Sequence, residues 1–369
     1  MQVHDVCVRG AGIVGSALAL ALSRQGLAVA LQRAPARPAG EDVRAYALNA
    51  ASVALLEGLK VWPSLPADAR TAVYDMRIEG DTAGGAALRF SAWQQQVREL
   101  AWIVDVAALE AELASALRYA PHVTLTDSPV QATLQVLAEG RASATREELG
   151  VGFELHDYGQ RAIAARLATD TAHGGLARQW FRAPDVLALL PMDRPRAGHG
   201  LALVWSLPAE RAEALLALPD AAFEDELMQA TGGAGGRLTL ASTRAAWPLA
   251  LARAERVVGA GWALVGDAAH LVHPLAGQGL NLGLGDVAVL ARVIAGREPW
   301  RALSDPRLLA RYARERAAPV QAMGALTDGL LRLFAHPAPW AKELRHRGLG
   351  LVEAATPLKR WLVSQALGR

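Results

Sequence analysis

The sequence predicts a mixed α/β (α+β) fold in which a parallel-sheet domain is interleaved with an antiparallel-sheet domain and followed by a helical C-terminal tail. Three observations support this prediction. A strand, a glycine-rich turn, a helix and a second strand fill residues 1–33. Several β-like segments with turn signals between them recur over 161–206, and an apolar strand at 262–265 precedes a Gly-Asp pair, a loop and another helix.

The N-terminal unit has the form of a Rossmann-like βαβ motif, with its strand, helix and second strand predicted at 3–8, 13–25 and 27–31. A GxGxxG loop formed by Gly10, Gly12 and Gly15 joins the first strand to the helix. The first glycine allows the tight turn, the second lets the backbone approach a pyrophosphate, and the third lets helix and strand pack closely. The loop therefore predicts a dinucleotide site, against the alternative of a plain glycine-rich turn.

The end of the second strand departs from the usual dinucleotide fingerprint. An acidic residue is expected there for the adenosine ribose hydroxyls, but the sequence has Gln32 followed by Arg33. A glutamine still hydrogen-bonds a hydroxyl, although without the strength of a charged acceptor. Alternatively, Gln32 and Arg33 accept a 2′-phosphate, which makes the site specific for NADP. The N-terminal unit by itself leaves both interpretations open.

Composition excludes several classes of protein. With 38 Lys plus Arg against 36 Asp plus Glu, a formal charge of +2 cannot sustain broad nucleic-acid binding, which needs a dense basic face. Cys7 is the one cysteine among 369 residues, so no disulfide scaffold is expected. No leader opens the sequence, and no apolar stretch reaches the roughly 20 residues of a membrane-spanning helix. We therefore expect a cytoplasmic protein.

The middle of the chain predicts a second, mainly antiparallel domain. Strands are expected at 74–79 and 87–91, joined through Gly84-Gly85, and again over 161–206. Further predicted elements are helices at 49–59, 210–216 and 223–229, a helix ending near 117, and strands at 102–104, 256–258 and 262–265. His156, Asp157 and Tyr158 could form an acid–base cluster, but we prefer a role at the domain boundary.

The most informative segment is 264–286, LVGDAAHLVHPLAGQGLNLGLGD. It predicts an apolar strand ending in Gly266-Asp267, a loop rich in proline and glycine, and a helix reaching about residue 294. An acid at a strand end accepts hydrogen bonds from a polyol chain, and a Gly-Gln-Gly loop that opens a helix offers N–H donors to an electron-rich ring edge. Open α/β sheets bind ligands at this edge.

The same segment brings together the residue types of a metal site. Asp267, His270 and His273 supply an acid and two imidazoles at short spacing. No further ligand stands nearby in the segment, so we predict no metal site. His270 is expected to be a structural hydrogen-bonding residue, and His273 is expected to shape the pocket.

The GDAAHxxxPxxGQGxNxGxxD run resembles that of the FAD-dependent aromatic hydroxylases of the p-hydroxybenzoate hydroxylase fold. Within that family, the string HPLAGQGLNLG is most similar to the ubiquinone-biosynthesis hydroxylases. The resemblance covers nearly the whole chain and continues in DVRAYALN (42–49), YGQ (158–160), ARQWF (177–181), LALLP (187–191), VWS (204–206) and WPL (247–249).

The resemblance implies that FAD is the bound dinucleotide. The glycines of the N-terminal loop would lie against its pyrophosphate, Arg44 would pair with phosphate, and Asp267 would bind the ribityl chain. The positions expected to line the isoalloxazine loop are Pro274, Gly277, Gln278, Gly279 and Asn281. The remaining cofactor contacts are expected at Gln32, Arg33, Glu139, Gly140 and Gly266.

Four residues are expected to face the substrate or the flavin ring: His273, Pro274, Gln179 and Leu189. The chain also departs from the family pattern. Glu139 takes the place of the aspartate in the family's second fingerprint, which falls on 138–146, and Ala107 stands where many relatives carry an arginine near the cofactor. The stretch 123–137 looks shortened by a hairpin. Together with Gln32, these departures predict weakened FAD binding.

The resemblance implies an interleaved arrangement of domains and a reaction. The FAD-binding domain is expected at 1–75, 98–155 and 247–325, the substrate domain at 76–97 and 156–246, and the tail at 326–369. The implied reaction is the hydroxylation of a phenolic, polyprenylated ubiquinone precursor with NAD(P)H and dioxygen. No side chain need be the nucleophile, because the cofactor carries the chemistry.

Two other functions remain open. If the departures abolish flavin binding, the chain is a non-catalytic accessory protein of a quinone-biosynthesis complex, with partners but no turnover. If the N-terminal unit binds NADP, the chain is an ordinary dehydrogenase. The second motif, Gly266-Asp267, then has no role.

The C-terminal segment 326–369 is basic and amphipathic, with seven Arg or Lys against three Asp or Glu among leucines and tryptophans. Such a segment can lie on an anionic membrane surface, and a polyprenylated substrate has to come from lipid. This favours peripheral contact with the inner membrane face. The alternative is that ordinary helices pack on the FAD domain.

Overall fold

The structure is a computed structural model that describes residues 4–33, 42–80, 87–128, 130–273 and 278–335. Four of the sequence-based predictions lie outside the described residues: Pro274, Gly277, the Gly84-Gly85 connection and the tail residues 336–369. Within the described ranges the strands form three sheets.

The strands are β1 (His4–Arg9), β2 (Val29–Gln32), β3 (Ala45–Leu48), β4 (Arg70–Val73), β5 (Asp75–Glu79), β6 (Ala87–Ser91), β7 (Ala101–Asp105), β8 (Val123–Thr126), β9 (Ala132–Leu137), β10 (Phe153–Thr169), β11 (Leu176–Arg182), β12 (Asp185–Met192), β13 (Gly200–Pro208), β14 (Leu238–Leu240), β15 (Ala245–Ala254), β16 (Val258–Gly259), β17 (Trp262–Leu264) and β18 (His270–Leu271). The helices are α1 (Ile13–Ser23), α2 (Ala50–Gly58), α3 (Val106–Arg118), α4 (Ala144–Glu148), α5 (Ala209–Ala217), α6 (Asp220–Thr231), α7 (Gln278–Ala295) and α8 (Pro306–Ala335).

The first sheet has the strand order β16-β17-β9-β1-β2-β8 and is parallel except for the edge pair β16–β17. Its central strands are short apolar runs, as a sheet covered on both faces requires. Val6, Leu31 and Leu134 are fully buried in one cluster with the apolar sides of α1, α3, α7 and α8. The predicted Rossmann-like βαβ unit is confirmed.

The second sheet is large and mostly antiparallel, in the order β18-β15-β10-β13-β12-β11-β5-β6, with β14 added against β10. The hairpin β5–β6 joins it from early in the sequence, because β5 pairs in parallel with β11. Helices α5 and α6 cover one face of the sheet around the buried Trp205 and Phe223. The predicted interleaving of a parallel-sheet and an antiparallel-sheet region is therefore confirmed.

The third sheet, β3-β7-β4, lies between the two larger ones. Ile103 and Val73 of this sheet pack with Met192 and Ala202 of the large sheet in a common cluster. The face of the large sheet opposite α5 and α6 therefore turns toward the parallel-sheet region.

Local signals explain several helix ends. Asn49 Oδ1 accepts a hydrogen bond from Ser52 N at 2.9 Å and begins α2, and Asp105 Oδ1 accepts one from Ala108 N at 2.9 Å and begins α3. Gly232 ends α6 in the left-handed conformation, with φ of 59°.

The long helix α8 differs from the sequence-based expectation. The sequence predicted helical structure from residue 326 onward, whereas α8 begins at residue 306 and continues through Pro319 and across residue 326 to residue 335. Leu308, Leu309 and Tyr312 are buried against the parallel-sheet core, which anchors its first turns. The beginning of the predicted tail is thus continuous with a helix of the parallel-sheet region.

Candidate active site

The predicted cofactor residues follow four parallel strands that end at the same edge of the first sheet. The register pairs Arg9 with both Gln32 and Leu137, and pairs Leu137 with Leu264. The loops that carry Gly10, Gly140 and Asp267 therefore leave the sheet side by side. Ligands bind in open α/β sheets at this carboxyl edge.

Each of the three glycines of the first loop is required for a different structural reason. Gly10 has φ of 103°, and a Cβ there would lie 2.3 Å from Ala138 O. A Cβ at Gly15 would lie 1.9 Å from Gly10 O, so α1 can sit this close to β1 because residue 15 has no side chain. Gly12 has ordinary angles, and a Cβ there would have no atom of the described residues within 4 Å, so among these residues it borders open space at the N-terminus of α1. That space suits a pyrophosphate.

The end of β2 offers a neutral acceptor. Gln32 Oε1 is buried and has no hydrogen-bond partner among the described residues. Arg33 pairs with Asp127, at 2.8 Å between Nη2 and Oδ1, and both side chains are largely exposed. The orphaned Gln32 oxygen fits a ribose hydroxyl, whereas the guanidinium that a 2′-phosphate would need already has a carboxylate partner.

Asp267 lies in a cleft. Gly266 has φ of 61° and turns the chain sharply after β17, and the Asp267 side chain that follows is open to solvent although protein surrounds it closely. This desolvation raises the pKa of the Asp267 carboxyl, while nearby His270 and Arg44 act in the opposite direction. Asp267 and Arg44 are therefore near neighbours, as the sequence predicts for two cofactor contacts.

Arg44 is held in place on both its side chain and its backbone. Its Nε donates to Asp42 Oδ1 at 2.8 Å, and its carbonyl accepts from Arg166 Nη2 at 2.7 Å. Tyr46, which the sequence did not single out, lies close to both Arg44 and Asp267, and burial raises the pKa of its hydroxyl. Its signal was its place in the resembling segment 42–49.

The Glu139 side chain hydrogen-bonds to nearby protein groups. Its Oε2 accepts from Ser143 Oγ at 2.5 Å and its Oε1 accepts from Thr145 Oγ1 at 2.7 Å. The longer arm of glutamate thus fixes the start of α4. Gly140 next to it has φ of 77° and forms the turn.

The start of α7 is fastened to the β3–α2 connection. Asn281 Nδ2 donates to Ala47 O at 2.8 Å, and its Oδ1 accepts from Asn49 N at 3.0 Å and from Ser52 Oγ at 2.7 Å. The amide of Asn281 is therefore used by protein groups. The neighbouring Gln278 is also buried, whereas no atom of the described residues lies within 4 Å of a Cβ position at Gly279.

A buried ionic network lies behind the Gly266-Asp267 turn. Asp286 is fully buried on α7 and accepts from Gly266 N at 2.8 Å, from His270 Nε2 at 2.8 Å and from Arg316 Nε at 2.6 Å. The predicted structural role of His270 matches this contact. Sequence reasoning did not single out Asp286 or Arg316. Asp286 closes the motif quoted above, whereas Arg316 has no local signal.

His273 lies directly before the loop expected at the flavin ring. It is fully buried, and neither ring nitrogen has a hydrogen-bond partner among the described residues. Burial lowers its pKa to about 3, so the ring is neutral at physiological pH. Its ring meets that of Tyr158 edge to face, with centroids 5.5 Å apart, and Tyr158 Oη donates to Asp328 Oδ1 of α8 at 3.2 Å. Tyr158 thus joins the large sheet to α8.

The structure does not bring Gln179 and Leu189 together. Leu189 is 1% exposed and packs with α5 and α6, on the helix-covered face of the large sheet. Its cross-strand partner is Arg178, so the residue beside it in sequence, Gln179, points to the opposite face. We correct the expectation for Leu189: its side chain is part of the protein core. Gln179 lies on the face that turns toward the parallel-sheet region.

Residues 3–327 match the family model described as FAD binding domain. The chain belongs to this family. Ubiquinone hydroxylase UbiL of Rhodospirillum rubrum is 33% identical to it, over 100% of this chain and 90% of that protein. The 3-demethoxyubiquinol 3-hydroxylase of Escherichia coli is 31% identical over 100% and 99%, and the human mitochondrial ubiquinone biosynthesis monooxygenase COQ6 is 27% identical over 99% and 92%.

Solved structures share the fold of this FAD-binding protein. PqsL of P. aeruginosa in complex with 2-aminobenzoylacetate superposes with a TM-score of 0.79 at 22% identity, covering 95% of this chain and 100% of that one. HpxO of Klebsiella pneumoniae in complex with FAD and uric acid gives 0.76 at 19% identity, covering 100% and 98%. The predicted family, fold class and FAD cofactor are confirmed.

The residues present fit FAD. The glycine cradle leaves room for a pyrophosphate, Gln32 Oε1 is an unused acceptor at the ribose position, and Asp267 faces an open cleft. Among the described residues, no group of three His, Cys, Asp or Glu side chains could hold a metal ion.

The different roles of Gly12 and Gly15 predict separable effects. Gly12→Ala changes the stability of the FAD-free protein by about 1 kcal/mol or less, because its methyl group enters open space and only the N-cap preference of α1 is lost, but it raises the FAD Kd by about tenfold or more by blocking the pyrophosphate. Gly15→Ala lowers the free energy of unfolding by about 1–3 kcal/mol or more, because its methyl group meets Gly10 O. Urea unfolding and flavin-fluorescence titration measure both. A normal Kd for Gly12→Ala contradicts the assignment.

The buried, neutral His273 predicts a stability loss in acid. Its folded-state pKa of about 3 lies below the ordinary 6.5, so the unfolded chain binds a proton that the folded chain does not, and stability falls as pH drops below 6.5. From pH 7 to pH 5 the FAD-free protein loses about 2 kcal/mol more than His273→Gln does. Urea unfolding at both pH values measures the difference, and equal losses in the two proteins would contradict it.

Proposed function

We propose that this chain is an FAD-dependent monooxygenase that hydroxylates the ring of a phenolic, polyprenylated ubiquinone precursor with NAD(P)H and dioxygen. The observation that carries the proposal is the match of the whole chain, at 31–33% identity, to two relatives named as ubiquinone-pathway hydroxylases. The reaction replaces a ring C–H with C–OH, oxidises NAD(P)H to NAD(P)⁺, and releases the second oxygen atom as water. Its substrate is a small phenolic or quinone molecule.

FAD, when bound and reduced by NAD(P)H, supplies the activation of dioxygen. The chain's own residues would bind and orient it: the N-terminal glycine loop and Arg44 would hold the phosphates, Asp267 would bind the ribityl chain, and Gln32 would bind the adenosine ribose. Gln278 and Gly279, at the start of α7, would lie beside the ring. Protein packed closely around Asp267 would limit the access of water to the reacting groups.

The substrate side is assigned to the junction between the large sheet and α7. Gln179 belongs to the face of the large sheet that turns toward the parallel-sheet region, between Ala177 and Phe181, which are buried in apolar clusters. An apolar surface interrupted by a few polar groups suits a ring with a prenyl chain. The neutral His273 nitrogens offer a donor or an acceptor to the phenol oxygen.

The accessory-protein alternative is not favoured, because the glycine cradle and Asp267 are present despite Gln32 and Ala107. Ala107 is exposed in the first turn of α3, one turn before Glu110, which approaches Arg44 to 3.8 Å. An arginine at 107 would add a second cation beside Arg44. Its absence weakens phosphate binding without removing the site.

The proposal predicts a flavin spectrum and coupled turnover. Purified protein incubated with FAD and freed of excess shows the two-band visible spectrum, oxidises NAD(P)H when a short-chain prenylphenol is added, and transfers one atom of ¹⁸O₂ into the product. Asp267→Asn retains less flavin, because a neutral amide oxygen replaces a charged acceptor, a loss of about 1 kcal/mol per hydrogen bond. Asp225→Asn, an exposed change on α6, is the matched control and behaves as wild type.

Two outcomes would contradict the proposal. Flavin-loaded protein that neither oxidises NAD(P)H nor forms a hydroxylated product with any prenylphenol is not this enzyme. Protein that retains no FAD at all supports the accessory role in a biosynthetic complex instead, and co-purification with other biosynthetic proteins then becomes the relevant measurement.

Peripheral membrane contact through 326–369 belongs to the same proposal, since the substrate is lipid-soluble. In the described residues, no helix combines the length and apolarity needed to cross a bilayer. The support is the basic, amphipathic composition of the tail, which attracts anionic lipid. Full-length protein is expected to float with vesicles containing anionic lipid, and a chain ending at residue 335 is expected to stay behind. Neutral vesicles are the control, and equal flotation of both chains contradicts the proposal.

A further inference from the structure

Asp286 is a charged side chain that no solvent reaches, and three donors from different parts of the chain surround it. Gly266 N belongs to the turn before Asp267, His270 follows that turn, and Arg316 comes from α8. Burial opposes ionisation, but His270, Arg316 and the Gly266 N–H outweigh it and hold the pKa of Asp286 below its ordinary value. The Asp286 carboxylate is therefore ionised and accepts a hydrogen bond from each of the three donors.

Asp286 lies where the backbones of the Gly266-Asp267 turn, α1 and α7 are tightly packed. A Cβ on Gly266 would lie 3.3 Å from the Val14 side chain, and a Cβ on Gly283 would lie 2.7 Å from Val14 and 3.3 Å from Gly266 Cα. The turn, α1 and α7 are thus in mutual close contact. Because packed interiors do not yield continuously, a displacement of Asp286 on α7 displaces the turn.

Helix α8 reaches this region from two successive turns. Arg316 donates to Asp286 Oδ1 and also, through Nη2, to Leu282 O at 3.0 Å, while Tyr312 Oη donates to Leu264 O at 2.7 Å. Residues four apart share one face of a helix. One face of α8 therefore holds both the end of β17 and the start of α7, the two flanks of the loop expected at the flavin.

We infer that Asp286, with its buried charge balanced by Arg316 of α8, is a positioning residue for FAD: it fixes the Gly266-Asp267 turn and His270 so that Asp267 is presented to the cofactor. Neither side chain needs to touch FAD. The inference rests on the proposed function, in which Asp267 contacts the ribityl chain.

The test uses Asp286→Asn and Arg316→Met in the full-length chain. An amide at 286 turns one acceptor into a donor that faces existing donors, and methionine at 316 leaves the buried carboxylate without its balancing charge. Both variants are expected to raise the FAD Kd by about tenfold or more in flavin-fluorescence titrations. Arg316→Lys, which keeps the charge but not the planar fork, is expected to restore part of the affinity.

A second readout separates positioning from loss of stability. At saturating FAD, the visible circular dichroism and the midpoint potential of the bound flavin report on its surroundings, and both are expected to differ from wild type in Asp286→Asn and Arg316→Met. Arg211→Met is the matched control. It removes an arginine that donates to the largely buried Asp185 at 2.6 Å on the large sheet, and it is expected to leave the Kd, the dichroism and the potential unchanged.

Asp267→Asn distinguishes failure of the proposed function from failure of the positioning role of Asp286. If Asp267→Asn binds FAD with the wild-type Kd, the assignment of Asp267 in the proposed function is wrong and the inference falls with it. If Asp267→Asn weakens binding while both network variants show the wild-type Kd and dichroism, the positioning role alone is overturned. If Asp286→Asn and Arg316→Met do not fold, Arg316→Lys decides: a Kd and dichroism equal to wild type overturn the inference, and a shift in both supports it.

Discussion

The close approach of three backbone segments around Val14 is the constraint on which the site depends. Residue 15 has no side chain because Gly10 O occupies that space, and Gly266 and Gly283 approach the Val14 side chain from the second motif. One side chain thus touches both cofactor motifs, although about 250 residues separate them in sequence. The distance between the two motifs is fixed by this packing.

Ionic contacts orient the segments that the glycines allow to pack closely. A glycine permits a close approach of two backbones, but it has no side chain that could fix their orientation. The Asp286 network orients the turn after β17, and the Arg166 contacts orient the segment that carries Arg44. Arg166 also pairs with Asp105 at 3.1 Å, with both side chains largely buried, so the large sheet is tied to the start of α3. Buried pairs of this kind rarely add much stability over apolar packing, but they tolerate few alternative arrangements.

Much of the fold and of the site could be predicted from the sequence, because the signals were local. The β1–α1–β2 unit, the strand before Gly266-Asp267 and the start of α7 each combine periodicity with a glycine at a required position. Leu189 could not be placed, because the face of a strand residue depends on the pairing register, and a shift of one residue exchanges the faces. Arg316 could not be found either, since its partner is 30 residues away and the contact exists only once α8 docks.

The departures at 32 and 139 show how such a site tolerates change. Replacing a carboxylate acceptor by the amide oxygen of Gln32 exchanges a charged hydrogen bond for a neutral one, a loss of about 1 kcal/mol, or less than tenfold in affinity. Glu139 is satisfied by Ser143 and Thr145, so its extra methylene creates no unpaired charge. Neither change touches the packing around Val14. Because that packing sets the geometry of the cleft, the contacts at its rim can vary while the cofactor still fits.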